Sequence, residues 1–426
     1  MLGERSLFDD SETLHIPEEL RFECTGCGNC CLQWPVPSTA DDRQRIIDLS
    51  HSMKHSGTHS GLVELPVRLF RSVDFDIIKA KSQTFQFTLE KRADGRCIFL
   101  SEQNRCALHE QFGAEAKPSM CQLFPYTFTE APDGFYASVS FASTGALFNQ
   151  GRLLSEQREH LTSRLALFKK LFPKLKLDWS GIQLVDGVSM RWSQYLLMER
   201  DICRALAENM RDALSQDKYL WSAQLLNLSE YILSHLPEQT ARTDLERKEL
   251  IPNNQSSDLQ FVRYLMALYL PDNVFESTND IPAVREFLEG MVSGDSQLSF
   301  EIDGQDVDLA EAFAQSLGML GRDSEHLLAR YLYSRVFSKL YFGPGLGHFS
   351  LVSGYHHLVL LLVLVRLKIK CLQWLGKRPD AFHVAEIVRS LERKLTAFQH
   401  TRESSSVLQV LLESPSRFRR LIELAV

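Results

Sequence analysis

The chain has 426 residues, 44% of them hydrophobic and 24% charged, a composition able to bury more than one ordinary core. Its formal net charge of -7 and pI near 6.0 carry no basic excess, which argues against nucleic acid as the main partner. The first twenty residues lack the basic-then-apolar pattern of a secretory leader, and the most apolar run, LVLLLVLV, falls far short of the roughly 20 residues of a membrane span.

In chain order, residues 1–20 read as a loosely ordered start, followed by the cysteine-rich stretch CTGCGNCC. Asp41 to Met53 reads as a helix with Ser38 or Thr39 as its capping residue. TFQFTLEK (84–91) alternates Phe85, Phe87 and Leu89 as a half-buried strand does, and RCIFL (96–100) reads as its partner across the Asp94-Gly95 turn. Cys97 and Cys106 flank the polar turn SEQNR as in a short hairpin, and GFYASVSF (134–141) reads as a third strand. A boundary falls near residue 150. Beyond it lie an amphipathic stretch at 154–172, a small hairpin near 175–192 with an Asp186-Gly187 turn, and helices expected at about 190–214, 217–236, 257–270, 281–293, 307–319, 323–341, 349–376, 382–400 and 405–425. The 349–376 segment is apolar on nearly every side and reads as a central core helix. The expected class is α+β, mostly α. A small metal-binding domain with a few short strands spans 21–150, and a mainly helical domain spans 151–426.

Cysteine usage carries the chemistry. Of nine cysteines, seven fall at Cys24, Cys27, Cys30, Cys31, Cys97, Cys106 and Cys121, while Cys203 and Cys371 sit alone in helical sequence and read as small core residues. A cytoplasmic protein is the expectation, and in that reducing compartment such density signals metal or redox chemistry rather than disulfides. The spacing C-x2-C lets two thiolates converge on one metal, and Gly26 and Gly28 suit the tight turns this needs. Adjacent Cys30 and Cys31 tend to point apart, so they can serve two metals or two irons of one cluster. His109 stands three residues after Cys106 and reads either as an eighth ligand or as a half-exposed helix histidine. Eight ligands fill two tetrahedral zinc sites; alternatively four hold a [4Fe–4S] cluster and the rest have separate roles. Four thiolates within eight residues, including an adjacent pair, tilt the reading toward iron–sulfur.

Other patterns carry less. GPGLGHF (343–349) follows helical sequence and holds Pro344, so it reads as an interhelical loop rather than a phosphate loop. His356 and His357 point to different sides of the core helix, an arrangement poor for one metal.

CTGCGNCC, RCIFL, RCALH and KPSMCQLFP, in this order and spacing over about residues 20–150, resemble the YkgJ-type cysteine-cluster family, the CxxCxxCC zinc- or iron-chelating domain. The resemblance implies a metal or iron–sulfur site on Cys24, Cys27, Cys30, Cys31, Cys97, Cys106 and Cys121. Related chains often carry an eighth cysteine where this one reads SVSFASTG, with only Ala142, Ser143 and Thr144 on offer. That departure excludes eight thiolates and draws interest to His109 or to an open metal position. The layout is also similar to flagellin lysine N-methylase, the FliB type, through ARYLYSRVFSKLYF, SGYHHLVLLLVLVRL and VRSLERKLTAFQH. This second resemblance implies methyl transfer from S-adenosylmethionine to a lysine of a flagellin-like protein substrate, and it assigns no residue. A redox sensor or metal-delivery protein is the third expectation.

Overall fold

The computed structural model describes residues 13–32, 34–55, 68–72, 84–215, 221–237, 254–270, 285, 287–290, 298–317, 320–397 and 402–426. Of the expected loose start, residues 1–12 lie outside these. Residues 13–20 are held in place: β1 (Leu14–His15) runs parallel to a later strand, and Leu20 is buried.

Next come β2 (Arg21–Phe22), β3 (Pro37–Ser38) and α1 (Ala40–His55). The Thr39 hydroxyl accepts from the Asp42 amide at 3.0 Å, and the Asp42 carboxylate accepts from the Thr39 amide at 3.1 Å, so α1 starts at a reciprocal cap. β4 (Phe70–Ser72) and β5 (Phe87–Leu89) follow. β5 lies between β3 and β4, antiparallel to both. The expected ladder between 84–91 and 96–100 is thereby corrected: the turn at Asp94-Gly95 forms, but only a single bridge, Lys91 to Cys97, crosses it. The edges of β5 are taken by strands that local sequence could not rank as partners.

α2 (Ala107–Phe112) and α3 (Ser119–Leu123) carry the segment to a hairpin of β6 (Tyr126–Ala131) and β7 (Gly134–Val139). β7 was expected; β6 was not, and it completes the three-stranded sheet β1-β7-β6. α4 (Thr144–Leu147) and β8 (Arg152–Leu153), which pairs with β2, close this part.

Helices dominate from here. α5 (Arg158–Leu171) precedes the small hairpin β9 (Gln183–Val185) and β10 (Val188–Ser189). Then come α6 (Trp192–Ser215), α7 (Trp221–Leu233) and α8 (Gln255–Tyr269), the last opened by an Asn254–Ser257 capping box. The helix expected at 281–293 lies largely outside the described residues. The one expected at 307–319 is corrected. β11 (Ser299–Ile302) and β12 (Gln305–Asp308) form a hairpin about Asp303 and Gly304, both at positive φ, and only α9 (Leu309–Ala314) is helical.

α10 (Arg322–Phe337), α11 (Leu351–Trp374) and α12 (Ala381–Ala397) match expectation. The single helix expected at 405–425 is two, α13 (Arg402–Leu412) and α14 (Pro415–Leu424), because the Ser414 side chain caps a new start and Pro415 takes its first turn. At 24 residues α11 is long and apolar enough to cross a bilayer by composition. Instead it is sheathed by α7–α10, α12–α14 and β9, and its residues 351–367 are all buried. The molecule is a mostly helical α+β chain.

Two apolar cores result. The large one joins the β1-β7-β6 sheet, Phe22 and Leu147 to the helices across residue 150. The small one is built from Val36, Ile46, Leu89, Ile98, Phe99, Leu100, Leu108 and neighbours, and it holds Cys97.

Candidate metal centre

The adjacent cysteines of CTGCGNCC sit in a single turn of 3-10 helix, Asn29–Cys31, entered through Gly28 in the left-handed region at φ 74°. A Cβ on Gly28 would also press on the Asn104 side chain at 3.1 Å. Cys30 and Cys31 meet different neighbours, Ser143, Thr144, Cys27 and Cys24 for the first and Cys97, Cys106 and Lys91 for the second. The seven thiols divide into a group of four and a group of three.

Cys31, Cys97, Cys106 and Cys121 come from four separate stretches, and all four pack on the small core. The Cys97 amide donates to the Cys31 carbonyl at 3.0 Å, and Lys91 Nζ donates to the same carbonyl at 3.0 Å. Leu100 bridges back to Cys106, which begins α2. Cys121 lies within α3, and α3 is pinned to α1 by Asp42. That fully buried carboxylate accepts from the Ser119 hydroxyl at 2.7 Å, the Ser119 amide at 3.1 Å and Arg45 at 2.7 Å.

The environment of these thiols is dry. Burial pushes the Cys31 thiol up to about 12, and neighbouring Cys97, Cys106 and Cys30 add to the rise. Burial likewise raises Cys121, with Cys97, Cys31 and Cys106 reinforcing it and Lys117 opposing. Each of Cys31, Cys106 and Cys121 feels Cys97, so the four thiols lie within electrostatic reach of one another. Burial raises Cys97 and Cys106 too, against amide donors: Phe99 N–H to Cys97, and His109 and Leu108 N–H to Cys106. Amides aimed at sulfur suit a metal-bound thiolate, which is a stronger acceptor than a thiol.

His109 takes part through this main-chain amide. Its imidazole belongs to an exposed residue on α2. Cys203 is half-buried against the large core and Cys371 fully buried in α11, both remote in sequence and packing from the seven. His356 and His357 are buried with separate partners: His356 with Ser229 Oγ at 2.6 Å, His357 with Tyr269 OH at 2.7 Å.

Cys24, Cys27 and Cys30 form the second group. Cys24 is exposed, and Cys30 feels both Cys27 and Cys24. Where related chains carry another cysteine, this one presents hydroxyls. Cys27 Sγ lies 3.2 Å from Thr144 Oγ1, and the Ser143 side chain and Thr144 amide hydrogen bond to Cys30. The start of α4 comes this close because Gly145 packs against the Glu23 carbonyl, where a Cβ would sit at 2.3 Å. Desolvation raises Cys27, but Thr144, Thr25, the Asn29 amide and the charge of Arg389 outweigh it and bring the thiol below its ordinary value. Arg389, from α12, donates to Thr144 Oγ1 at 2.9 Å. Asp42, Ser143, Thr144 and Arg389 are therefore site residues that cysteine spacing alone did not single out as partners.

Among the described residues no three Cys, His, Asp or Glu side chains are gathered tightly enough to hold one ion as they stand. The donor set nevertheless fits a thiophilic metal: soft ligands, a dry surround, N–H groups directed at sulfur, and Lys91, Arg92 and Lys117 nearby to offset thiolate charge.

The geometry thus defines a class, a thiol-lined chelating domain carried by a helical chain. Residues 23–140 match the CxxCxxCC family model, described as "Putative zinc- or iron-chelating domain", which supports the cysteine-cluster resemblance for this segment. No curated protein and no solved structure matches the chain.

Proposed function

We propose that this is a cytoplasmic iron-binding protein whose Cys31, Cys97, Cys106 and Cys121 hold an iron–sulfur cluster. The observation that carries the reading is the convergence of four thiols, from four stretches of chain, on one small core. When bound, the cluster would supply either folding free energy or one-electron chemistry. The chain's own part is to hold the sulfurs, exclude water through Ile98, Phe99 and Leu108, and aim amides at Cys97 and Cys106. Four thiolates within eight residues, including the adjacent pair Cys30 and Cys31, favour a polynuclear site over a single tetrahedral ion.

The test is anaerobic reconstitution of the full chain, with iron, acid-labile sulfide and zinc measured per chain. Iron and sulfide in equal amounts, with broad visible absorption that bleaches on reduction and vanishes in Cys97→Ser, is the expected result. Zinc without sulfide would replace the cluster with a zinc site. A folded, reduced protein that takes up neither metal would overturn the reading.

A further inference from the structure

We propose that the cavity between the β6–β7 turn, the β9–β10 hairpin and the start of α6 binds an aromatic amino acid as its zwitterion. Arg191 takes the carboxylate, Glu130 takes the ammonium, and two tryptophans take the ring. The cavity contains no cysteine, and the inference does not rest on the metal-binding reading.

The cavity has a volume of about 830 Å3, in the range that holds a small organic ligand. Its apolar wall is Trp179, Trp192, Leu177 and Met190. Both indoles are fixed by their N–H groups. Trp179 Nε1 donates to the Glu130 carbonyl at 2.8 Å, and Trp192 Nε1 donates to Asp133 Oδ1 at 3.1 Å. Asp133 is held in turn by the Tyr136 hydroxyl at 2.6 Å. The two ring centroids are 5.2 Å apart and the planes meet at 58°, so the rings do not stack on each other. Phe342 supports Trp179 at 5.6 Å, Tyr195 supports Trp192 at 5.0 Å, and these two supports touch at 4.7 Å. Gly343 of GPGLGHF, in the left-handed region at φ 52°, packs on Trp179 as well. With both N–H groups spent, the indoles offer a ligand only ring surface, which suits a flat aromatic body. Because the rings are already braced, binding need not order them first.

Glu130 and Arg191 line this same cavity. Among the described residues neither has an ion-pair partner, and they do not pair with each other. The Gln194 side chain accepts from the Arg191 amide at 3.2 Å and from Arg191 Nε at 3.3 Å. That anchors the root of the guanidinium and leaves its two terminal nitrogens for a ligand. Arg191 also directly precedes the 24-residue α6, whose positive N-terminal end adds to its attraction for a carboxylate. Glu130 sits beside Trp179 through the main-chain bond, so an ammonium there meets a carboxylate and an indole together. A purely cationic ligand would be opposed by Arg191, and a purely anionic one by Glu130. A ligand with both charges and a ring satisfies the whole wall.

The test is calorimetric titration of the full chain with L-phenylalanine. Three controls accompany it: phenylethylamine, which lacks the carboxylate; phenylpropionate, which lacks the ammonium; and L-alanine, which lacks the ring. Phenylalanine should bind about tenfold more tightly than any control, as expected for one charge-assisted contact or one stacked ring. Arg191→Gln should weaken phenylalanine about tenfold and leave phenylethylamine unchanged. Glu130→Gln should weaken phenylalanine by a similar factor and leave phenylpropionate unchanged. The control that keeps its affinity, together with an unchanged thermal midpoint, shows that each variant keeps the cavity intact. Absence of phenylalanine binding overturns the inference. So does phenylethylamine or phenylpropionate binding as tightly as phenylalanine, which would make the cavity a site for one charge alone. Alanine binding equally well would remove the role of the tryptophans and overturn it too. None of these outcomes depends on whether the cysteines hold metal.

Discussion

Replacing Cys97 with serine tests whether metal holds the small core together. Cys97 is 8% exposed, and a charge on it would act on Cys31, Cys106 and Cys121. A serine there keeps the Phe99 amide as a partner, so the buried hydroxyl by itself costs about 1 kcal/mol, near the low end for a polar group in a dry site. Loss of bound metal adds more. At a free metal concentration about 100 times the dissociation constant, linkage contributes about 2.7 kcal/mol. The variant should therefore lose about 4 kcal/mol, and the wild type in chelator only about 3 kcal/mol.

Because the small and large cores are separate clusters, the loss is local. Hydrogen exchange followed by mass spectrometry reads it directly. Chelator should speed exchange about 100-fold in wild-type peptides covering 96–121, the equivalent of 2.7 kcal/mol, and leave α11 peptides unchanged. Cys97→Ser should exchange about a thousandfold faster in the same peptides, with no further response to chelator. If the variant still responded to chelator by the full hundredfold, Cys97 would not be a ligand. If α11 accelerated equally, the two cores would be one cooperative unit.

Other outcomes follow from buried charges in the helical part. Lys339 Nζ sits 2.6 Å from Glu199 with neither side chain appreciably exposed, and burial outweighs their attraction, holding Glu199 up at about 7. Lys339→Met should cost about 3–5 kcal/mol by urea unfolding at pH 8, and adding Glu199→Leu should recover most of it. With the lysine gone, Glu199 is raised above its wild-type value of about 7, so the single-variant deficit should shrink as pH falls toward 7 and stay level just below it; a deficit constant with pH above 7 would refute this. Burial pushes His356 down to about 4, from an unfolded value near 6.5. Its contribution is complete above pH 6.5 and lost as pH falls toward 4, about 3 kcal/mol in all, and His356→Gln should flatten that part of the wild-type stability profile. Arg330 donates to the Ala146 and Leu147 carbonyls at 2.8 and 2.6 Å from a buried position. Arg330→Met should lower stability by about 3 kcal/mol, since two charge-assisted bonds are lost inside the protein, and an unchanged thermal midpoint would contradict it.

Much of this was legible in the chain. The cysteine-cluster motif, the cap at Thr39 and the central helix α11 follow from spacing and periodicity, which are local properties. The partition of seven thiols was not, because it is made by contacts between distant segments. Cys121 is placed through Ser119 and Asp42, 77 residues apart, and Thr144 meets Arg389 across 245 residues. Asp42 lies in the first turn of α1, and nothing local reveals that its carboxylate also holds Ser119. β5 could not be paired correctly, since β3 and β4 give no signal in two or three residues each. The hairpin at 299–308 is a different failure. Its Asp303-Gly304 turn, flanked by SFEI and QDVD, is a legible signal, but the helical periodicity of the following residues absorbed its last strand.

The two thiol groups differ in which part of the chain builds them, and this decides what can act on each. Cys31, Cys97, Cys106 and Cys121 are assembled through Asp42, Lys91 and the small core, with α5 packed on α3 and Arg164 reaching Glu115 and Gln122 on either side of Cys121. Cys24, Cys27 and Cys30 depend on α4, and α4 is gripped at both ends by the helical part: Arg389 at Thr144, Arg330 at Ala146 and Leu147. A shift of α10 or α12 would move Thr144 relative to Cys27 while leaving the four-thiol group untouched. The same linkage runs backward, because coupling between sites is reciprocal. A change at Cys27 that moved Thr144 would pull on Arg389, and so on the helix face that packs against α10 and α11. The helical two-thirds of the chain thus meets the two thiol groups through different helices, α12 through Thr144 on the side of Cys27 and α5 through α3 on the side of Cys121.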